Sequence, residues 1–237
     1  MLKKTPNFIL LIFLMFFCFV NAQHFEIKYN VLFKDSKARY NYILDIKDSN
    51  SDFYLLKKNN FIPDSLSAQI HKINCVLKRN EKLFLYSNQK QFYLISPFKS
   101  IKSWDIVNNT ITENNFQLGE AHTKYKDLFA KALYIKDIPL SDGPFIFKNL
   151  PGLIYKIDTP LYTITLSEIK KDDKTLINVE DTKHRKEVSE EKFIKFQKES
   201  KEKEDLLFGK LRKVMKEDAN FEGFEAASFV DPLMLTL

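Results

Sequence analysis

The sequence predicts a mainly β protein, with an antiparallel curved sheet or open half-barrel followed by a long C-terminal helix. Short runs rich in Phe, Tyr, Ile, Leu and Val recur along residues 25–169 between clusters of Asn, Asp, Ser and Lys, which is typical of antiparallel strands. From residue 189 the composition changes to helix-forming residues. Curvature is expected because large open sheets tend to curl.

The strand predictions rest on alternation of side chains. Within residues 39–47, tyrosines and aliphatic residues alternate with polar ones apart from Ile43, as expected for a sheet with one buried and one solvated face. Asn88-Gln89, between two aromatic runs, is predicted to be a hairpin turn. The predicted strands are residues 25–33, 39–47, 53–57, 71–78, 82–87, 91–95, 103–107, 110–118, 121–125, 129–135 and 161–169.

A helix is predicted over residues 189–216, with Ser189 as its N-cap. Residues 198–205 are almost wholly charged, so the helix is expected to touch the protein mainly near its two ends. The alternative is a helix dedicated to a partner or a membrane surface. Favourable pairs are expected between Glu191 and Lys195 and between Glu199 and Lys203, and the apolar residues are Phe193, Phe196, Leu207, Leu211 and Val214.

The N-terminus resembles a secretory signal peptide. Lys3 and Lys4 precede an apolar run over residues 8–20, and small residues ending at Ala22 offer a cleavage point before Gln23. The run is short for a transmembrane helix and no second apolar run of about 20 residues follows, so no transmembrane segment is expected. We therefore predict an exported protein, periplasmic or secreted after cleavage near Ala22.

The predicted organisation is a leader over residues 1–22, a β-rich domain over 23–188 and a helical segment over 189–237 that packs on it. Without the leader, Cys75 is the only cysteine, so no intramolecular disulfide can form. The 37 basic side chains of the whole sequence become 35, against 31 acidic ones, which gives a net charge of +4. This mild excess is interspersed along the chain and indicates a solvated surface, not a nucleic-acid partner.

Residues 142–157 are the most informative stretch, because they hold two of only five glycines and two of eight prolines. Pro151 presets the backbone and Gly152 accepts a positive φ, which predicts a type II turn over residues 150–153 with a strand after it. A contact surface at the apolar tip of this turn is the alternative. The candidate binding residues of this signature hairpin are Asp142, Gly143, Pro144, Leu150, Pro151, Gly152, Leu153 and Ile154.

The stretch resembles the signature of the GLPGLI family, secreted bacterial proteins of unknown biochemical role. The resemblance extends to Trp104-Asp105-Ile106 and to the run Lys136-Asp137-Ile138-Pro139 before the Gly-Pro pair, so it covers most of the chain after the leader.

Three positions depart from the family pattern. Asn149 stands where the first glycine of the family name would be, and asparagine can still adopt a left-handed conformation. Leu118 replaces a common cysteine, and Leu133 replaces a tryptophan. Any role that depends on those two family side chains is therefore not expected of this chain.

Standard catalytic motifs are absent from the sequence: it has no Gly-x-Ser-x-Gly elbow, no glycine-rich phosphate loop and no His-Glu-x-x-His helix. For each weaker candidate the structural interpretation is favoured, namely a buried cysteine, a solvated polar face and turn chemistry. No catalytic residue, metal or cofactor is predicted. The weaker candidates are Cys75 as a nucleophile with His71 as its base, Glu120 with His122 as metal ligands, and Asp137 with Asp142 as a carboxylate pair.

The resulting expectation is an exported, non-catalytic binding or accessory protein of the bacterial cell envelope. An aromatic inner face of a curved sheet suits an apolar envelope ligand, and the signature hairpin would guard its mouth or dock a partner. The resemblance suggests an outer-membrane transport protein as that partner. The alternatives are an enzyme with an unrecognised site and an assembly factor that acts through the C-terminal helix.

Overall fold

A computed structural model describes residues 24–56, 74–79, 82–89, 92–98, 101, 103–171, 185–216 and 232–236. It confirms the fold class: twelve strands form one open sheet, and a long helix follows. The strands are β1 (His24–Phe33), β2 (Arg39–Lys47), β3 (Asn50–Leu55), β4 (Asn74–Arg79), β5 (Lys82–Gln89), β6 (Phe92–Phe98), β7 (Asp105–Glu113), β8 (Phe116–Tyr125), β9 (Leu128–Ile135), β10 (Leu153–Asp158), β11 (Tyr162–Lys171) and β12 (Arg185–Glu187).

The sheet consists of two meanders joined side by side. Its strand order is β12-β6-β5-β4-β3-β2-β1-β11-β10-β9-β8-β7, so β1 at the end of one meander pairs with β11 at the end of the other. That junction runs antiparallel from Phe25 opposite Lys171 to Phe33 opposite Tyr162. Only the three-residue β12 is parallel to its neighbour, β6, among the described strand pairs.

Two sequence predictions about turns near β5 and β7 were wrong. Asn88 and Gln89 are not a turn, since they belong to β5 and pair with β6. The predicted break after residue 107 is a bulge inside one strand, β7. The turn that ends β7 lies at Asn114 and Asn115, which both have positive φ, 49° and 64°. Asparagine tolerates that conformation, so the hairpin from β7 to β8 has turn residues suited to it.

The sheet curves around the segment that joins β9 to β10, residues 136–152, which we call the plug segment. Gly143 of this segment packs against Ile154 of β10, and its carbonyl oxygen accepts a hydrogen bond from Lys78 of β4. Five strand steps separate β4 from β10 in the sheet order, and at about 4.8 Å each they would span roughly 24 Å if the sheet were flat. One residue bridges both strands only because the sheet bends around it.

The inner face of the sheet and the plug segment form one hydrophobic core. Its largest side chains are at most 2% exposed. The rings of Tyr42 and Phe53 stack with their centroids 5.0 Å apart. Those largest buried side chains are Tyr29, Tyr42, Tyr162, Phe53, Phe145, Phe147, Phe193, Ile27, Leu44, Leu83, Leu85 and Leu118.

A second buried cluster lies on the opposite face of strands β2 to β5. Cross-strand pairing places Ile43 beside Tyr54, Tyr54 beside Cys75, and Cys75 beside Tyr86. Leu77 completes the cluster. Both faces of this half of the sheet therefore contribute apolar contacts.

The helix α1 spans Glu190–Lys216, and Ser189 caps it as predicted, with its side-chain oxygen accepting a hydrogen bond from the backbone N–H of Lys192 at 3.4 Å. Phe193 is fully buried, and Glu190 pairs with Lys126 of the β8–β9 turn at 2.7 Å. A short 3₁₀ helix follows at Pro232–Thr236. No helix in the described ranges has the length and apolar character needed to cross a membrane.

Two details of the helix prediction need correction. Lys195 pairs with Glu199 at 3.9 Å, one turn further along than the predicted partner Glu191. Glu204, inside the charged stretch, is buried, whereas Leu207 is 55% exposed. Among the described side chains of the helix, Phe193, Gln197 and Glu204 are buried, whereas Leu207 faces solvent. The leader over residues 1–22 lies outside the described residues.

Candidate functional site

The plug segment carries most of the signature residues, and most of those residues are buried. Leu150 and Leu153 are at most 1% exposed, and Gly143, Pro144, Gly152 and Ile154 are also buried. Only Asn149 and Pro151 are exposed at the tip. The alternative interpretation, an exposed apolar tip as a contact surface, is therefore wrong for the two leucines, because both side chains belong to the core.

Gly152 is needed for close packing, and the type II turn predicted for it was wrong. Its φ lies outside the left-handed region, and a Cβ atom built on it would overlap the backbone oxygen of Ile135 and lie 3.3 Å from that of Ile138. The chain returns there beside the end of β9, and the backbone N–H of Leu153 donates to the oxygen of Ile138, just beyond that strand, at 2.9 Å. Glycine is the residue that lets the two backbones approach this closely.

The positive φ angles of the plug segment fall on other residues. Asn149 has a φ of 72°, so the asparagine that replaces the family glycine does adopt the left-handed conformation expected of it. Phe145 has a φ of 56°, within a turn closed by the hydrogen bond from the Phe147 N–H to the Pro144 oxygen. A bulky residue in this conformation is strained. Packing of the Phe145 ring, 6.4 Å from that of Phe53, holds it there.

A buried ion pair joins the plug segment to the sheet. The ammonium of Lys78, whose side chain is 3% exposed, contacts the Asp142 carboxylate. It also donates to the backbone oxygens of Gly143 at 2.5 Å and Phe147 at 3.5 Å. Asp142 accepts further hydrogen bonds from the Ser51 hydroxyl at 2.6 Å and from the backbone N–H of Gly143 at 2.7 Å.

Burial lowers the pKa of Lys78 below its ordinary value, because the charged form loses its hydration. The Asp142 carboxylate opposes that effect, and the nearby positive charge of Lys148 adds to it. The pKa of the Tyr29 hydroxyl is raised well above its usual range, first by burial and then by the charge of Asp142. That hydroxyl donates to the Ile154 backbone oxygen at 2.7 Å. The Lys78 ammonium and the Tyr29 hydroxyl are thus shielded from water, whereas the Asp142 side chain is 20% exposed.

Sequence reasoning singled out Asp142 but missed its partners, Ser51 and Lys78. These two residues are opposite each other on β3 and β4, and both point to the inner face. One signal was available: Lys78 shares the inward face of β4 with the fully buried Val76, since side chains two apart on a strand point the same way. The strand register was needed to bring Ser51 alongside.

The other paired candidates have different surroundings. Asp137 is exposed after β9, while Asp142 is held by Lys78. His122 and Glu120 do share a face and lie 2.8 Å apart, and Lys131 also pairs with Glu120 at 2.8 Å. Hydrogen bonds from Lys131 and His122 lower the pKa of Glu120.

Cys75 is fully buried and reduced, whereas His71 lies outside the described residues. Within the described ranges, no group of three His, Cys, Asp or Glu side chains is placed to hold a metal ion. The sequence candidates for chemistry are therefore found in structural contacts, apart from His71 and the exposed Asp137.

Trp104, the single tryptophan, lies against the plug segment. Its indole N–H donates to the backbone oxygen of Lys148 at 2.8 Å, and its ring centroid is 6.2 Å from that of Phe147. The tryptophan and the Gly-Pro region of the signature, which are distant in sequence, thus form one packed unit.

Comparison with known proteins gives the fold a context. No family model and no curated protein matches the chain. Among solved structures, PNGF-II is similar in two crystal forms, with TM-scores of 0.54 and 0.52 and identities of 16% and 15% over 71% of this chain. An uncharacterised conserved protein from Thermus thermophilus matches with a TM-score of 0.40 at 11% identity, over 72% of this chain and 91% of that one.

The class that these observations define is an open antiparallel sheet that curves around its own plug segment. The matched region spans only about a third of PNGF-II, 32% and 31% in the two crystal forms. At this identity the likeness concerns the fold alone.

Proposed function

We propose that this chain is an exported, non-catalytic binding or accessory protein of the bacterial cell envelope, related to the GLPGLI family. Its ligand is apolar and occupies the inner face of the sheet when the plug segment moves aside. The observation that carries the proposal is the buried ion pair of Lys78 with Asp142, by which the plug segment is attached to β4. Export is supported by the leader-like residues 1–22.

A buried ion pair is a weak way to fix a segment permanently. The cost of removing two charges from water offsets much of their attraction, so well-packed apolar residues at the same positions are often as stabilising or more so. An apolar side chain at position 78 would hold Phe145 and Phe147 against the sheet without this cost. The ion pair therefore suits a contact that comes apart.

The size of the ligand follows from what it replaces. The plug segment places four large side chains on the inner face, those of Phe145, Ile146, Phe147 and Leu150, all at most 1% exposed. At about 1.5–3 kcal/mol each, their burial contributes on the order of 10 kcal/mol. A ligand that displaces them must bury a similar area. At about 0.8 kcal/mol per methylene, this requires an alkyl chain of roughly 8–15 carbons.

Loosening the plug segment should increase ligand binding. We expect Asp142→Asn to bind the neutral fluorescent probe 1-N-phenylnaphthylamine at least tenfold more tightly than the wild type, because a larger fraction of the protein is open. The probe titration should saturate at one molecule per chain.

The control is Leu77→Ala, which removes a buried side chain from the outer cluster at a cost of about 2–5 kcal/mol without touching the plug segment. It should leave probe affinity near that of the wild type. Equal gains in both variants would mean that the probe reports general loosening, and the proposal would be abandoned.

A further inference from the structure

The three acceptors that surround the ammonium of Lys78 all come from the plug segment. They are the carboxylate of Asp142 and the backbone oxygens of Gly143 and Phe147. The sheet itself contributes the Ser51 hydroxyl, directly opposite Lys78 on β3. When the plug segment leaves, the ammonium therefore loses its counter-ion and its two carbonyl partners together.

A cation exposed in this way lies among apolar side chains. Lys78 shares the inner face with Val76, and Phe53 and Leu55 follow Ser51 on the same face of β3. Among the titratable groups that act on Lys78, Asp142 is the acidic one, and it leaves with the plug segment together with the basic Lys148. A buried charge without a partner is strongly unfavourable, and a bound anion removes this penalty.

We propose that the ligand is an anionic amphiphile whose acid group takes the place of Asp142 at Lys78. Its alkyl chain lies along the aromatic row of the inner face, where Tyr29 and Tyr42 flank Phe53. The inference rests on the proposed function, because it requires the inner face to open. It adds the headgroup: a carboxylate, bound by the ammonium of Lys78 and the hydroxyl of Ser51.

The test compares an acid with an alcohol of the same chain. Palmitoleate and palmitoleyl alcohol are each titrated, below their aggregation limits, against the full chain loaded with 1-N-phenylnaphthylamine, and loss of probe fluorescence is measured. The acid should displace the probe at a concentration at least tenfold lower than the alcohol. In Lys78→Met this preference should fall to less than twofold, whereas Lys78→Arg, which keeps the positive charge, should retain it.

Equal potency of acid and alcohol on the wild type would overturn the inference while leaving an apolar ligand in place. This comparison needs no variant, so it decides the matter even if Lys78→Met does not fold. If a folded Lys78→Met variant kept the full preference for the acid over the alcohol, the inference would also be overturned. Failure of the probe to bind either the wild type or Asp142→Asn would overturn the proposed function itself.

Discussion

Replacing Asp142 with asparagine should lower the free energy of unfolding by about 3–5 kcal/mol, because it leaves the charge of Lys78 buried without a partner. Asparagine has nearly the same shape, so the change isolates charge from packing. The loss can be measured by urea unfolding at pH 7, followed through the fluorescence of Trp104, which contacts the plug segment through Lys148 and Phe147. The urea concentration at the midpoint of unfolding should fall, while the dependence of the unfolding free energy on urea concentration should not change.

The matched variants are Lys78→Met alone and combined with Asp142→Asn. The double variant carries neither charge, so it should recover a large part of the stability that Asp142→Asn loses. Additive losses, with the double variant less stable than either single one, would show that the two side chains act independently and that the ion pair is not what attaches the plug segment.

The same pair should make stability depend on alkaline pH. Because burial lowers the pKa of Lys78 below its ordinary 10.5, the folded protein binds fewer protons than the unfolded chain between the two pKa values. The contribution of Lys78 to stability therefore rises with pH across that window. The difference in unfolding free energy between wild type and Lys78→Met, measured as the pH approaches 10.5, should shift in favour of the wild type.

The strands were predictable because successive side chains of a strand point to opposite faces of the sheet, although both faces of β2 are buried and not one alone. In β2 the alternation of apolar and polar residues indicated both bounds, and the predicted range of 39–47 matches Arg39–Lys47. The helix was predictable for a similar local reason, since Ser189 and the acidic residues after it form a recognisable start. Both signals lie within a few residues of the element that they specify.

The plug segment was not predictable, because its role depends on partners distant in sequence. Ser51 lies 91 residues before Asp142, and Lys78 lies 64 residues before it. Nothing near Asp142 reveals that a lysine will be buried against it. The strand register that brings β3 and β4 to the plug segment is a property of the whole sheet, which local patterns do not encode.

The sequence correctly indicated that a glycine is required at position 152, but the predicted reason, a positive φ, was wrong. Glycine after proline normally indicates a positive φ at a turn, but the same residue is also required where two backbones approach closely. Sequence alone does not separate these two causes. The structure separates them, since Asn149 has the positive φ and Gly152 lies against the backbone of Ile135.

Gly152→Ala should therefore be among the most damaging single-methyl additions in this chain. The new Cβ atom would overlap the backbone oxygen of Ile135, and backbone cannot move aside as the end of a flexible side chain can. We expect the free energy of unfolding to fall by about 3 kcal/mol or more, at the upper end of what overpacking costs. Thermal unfolding followed by far-ultraviolet circular dichroism would measure the loss.

Gly209→Ala is the matched control, because it makes the same chemical change where no atom outside the adjoining turns of its own helix lies within 4 Å of the new methyl group. Gly209 is an exposed residue inside α1, so alanine there should stabilise the protein by roughly 0.5–1 kcal/mol through its higher helix propensity. The two variants should thus shift the unfolding temperature in opposite directions. A mild effect of Gly152→Ala, comparable in size to that of Gly209→Ala, would mean that the plug segment adjusts freely at its junction with β10. In that case close packing would not be what requires glycine there.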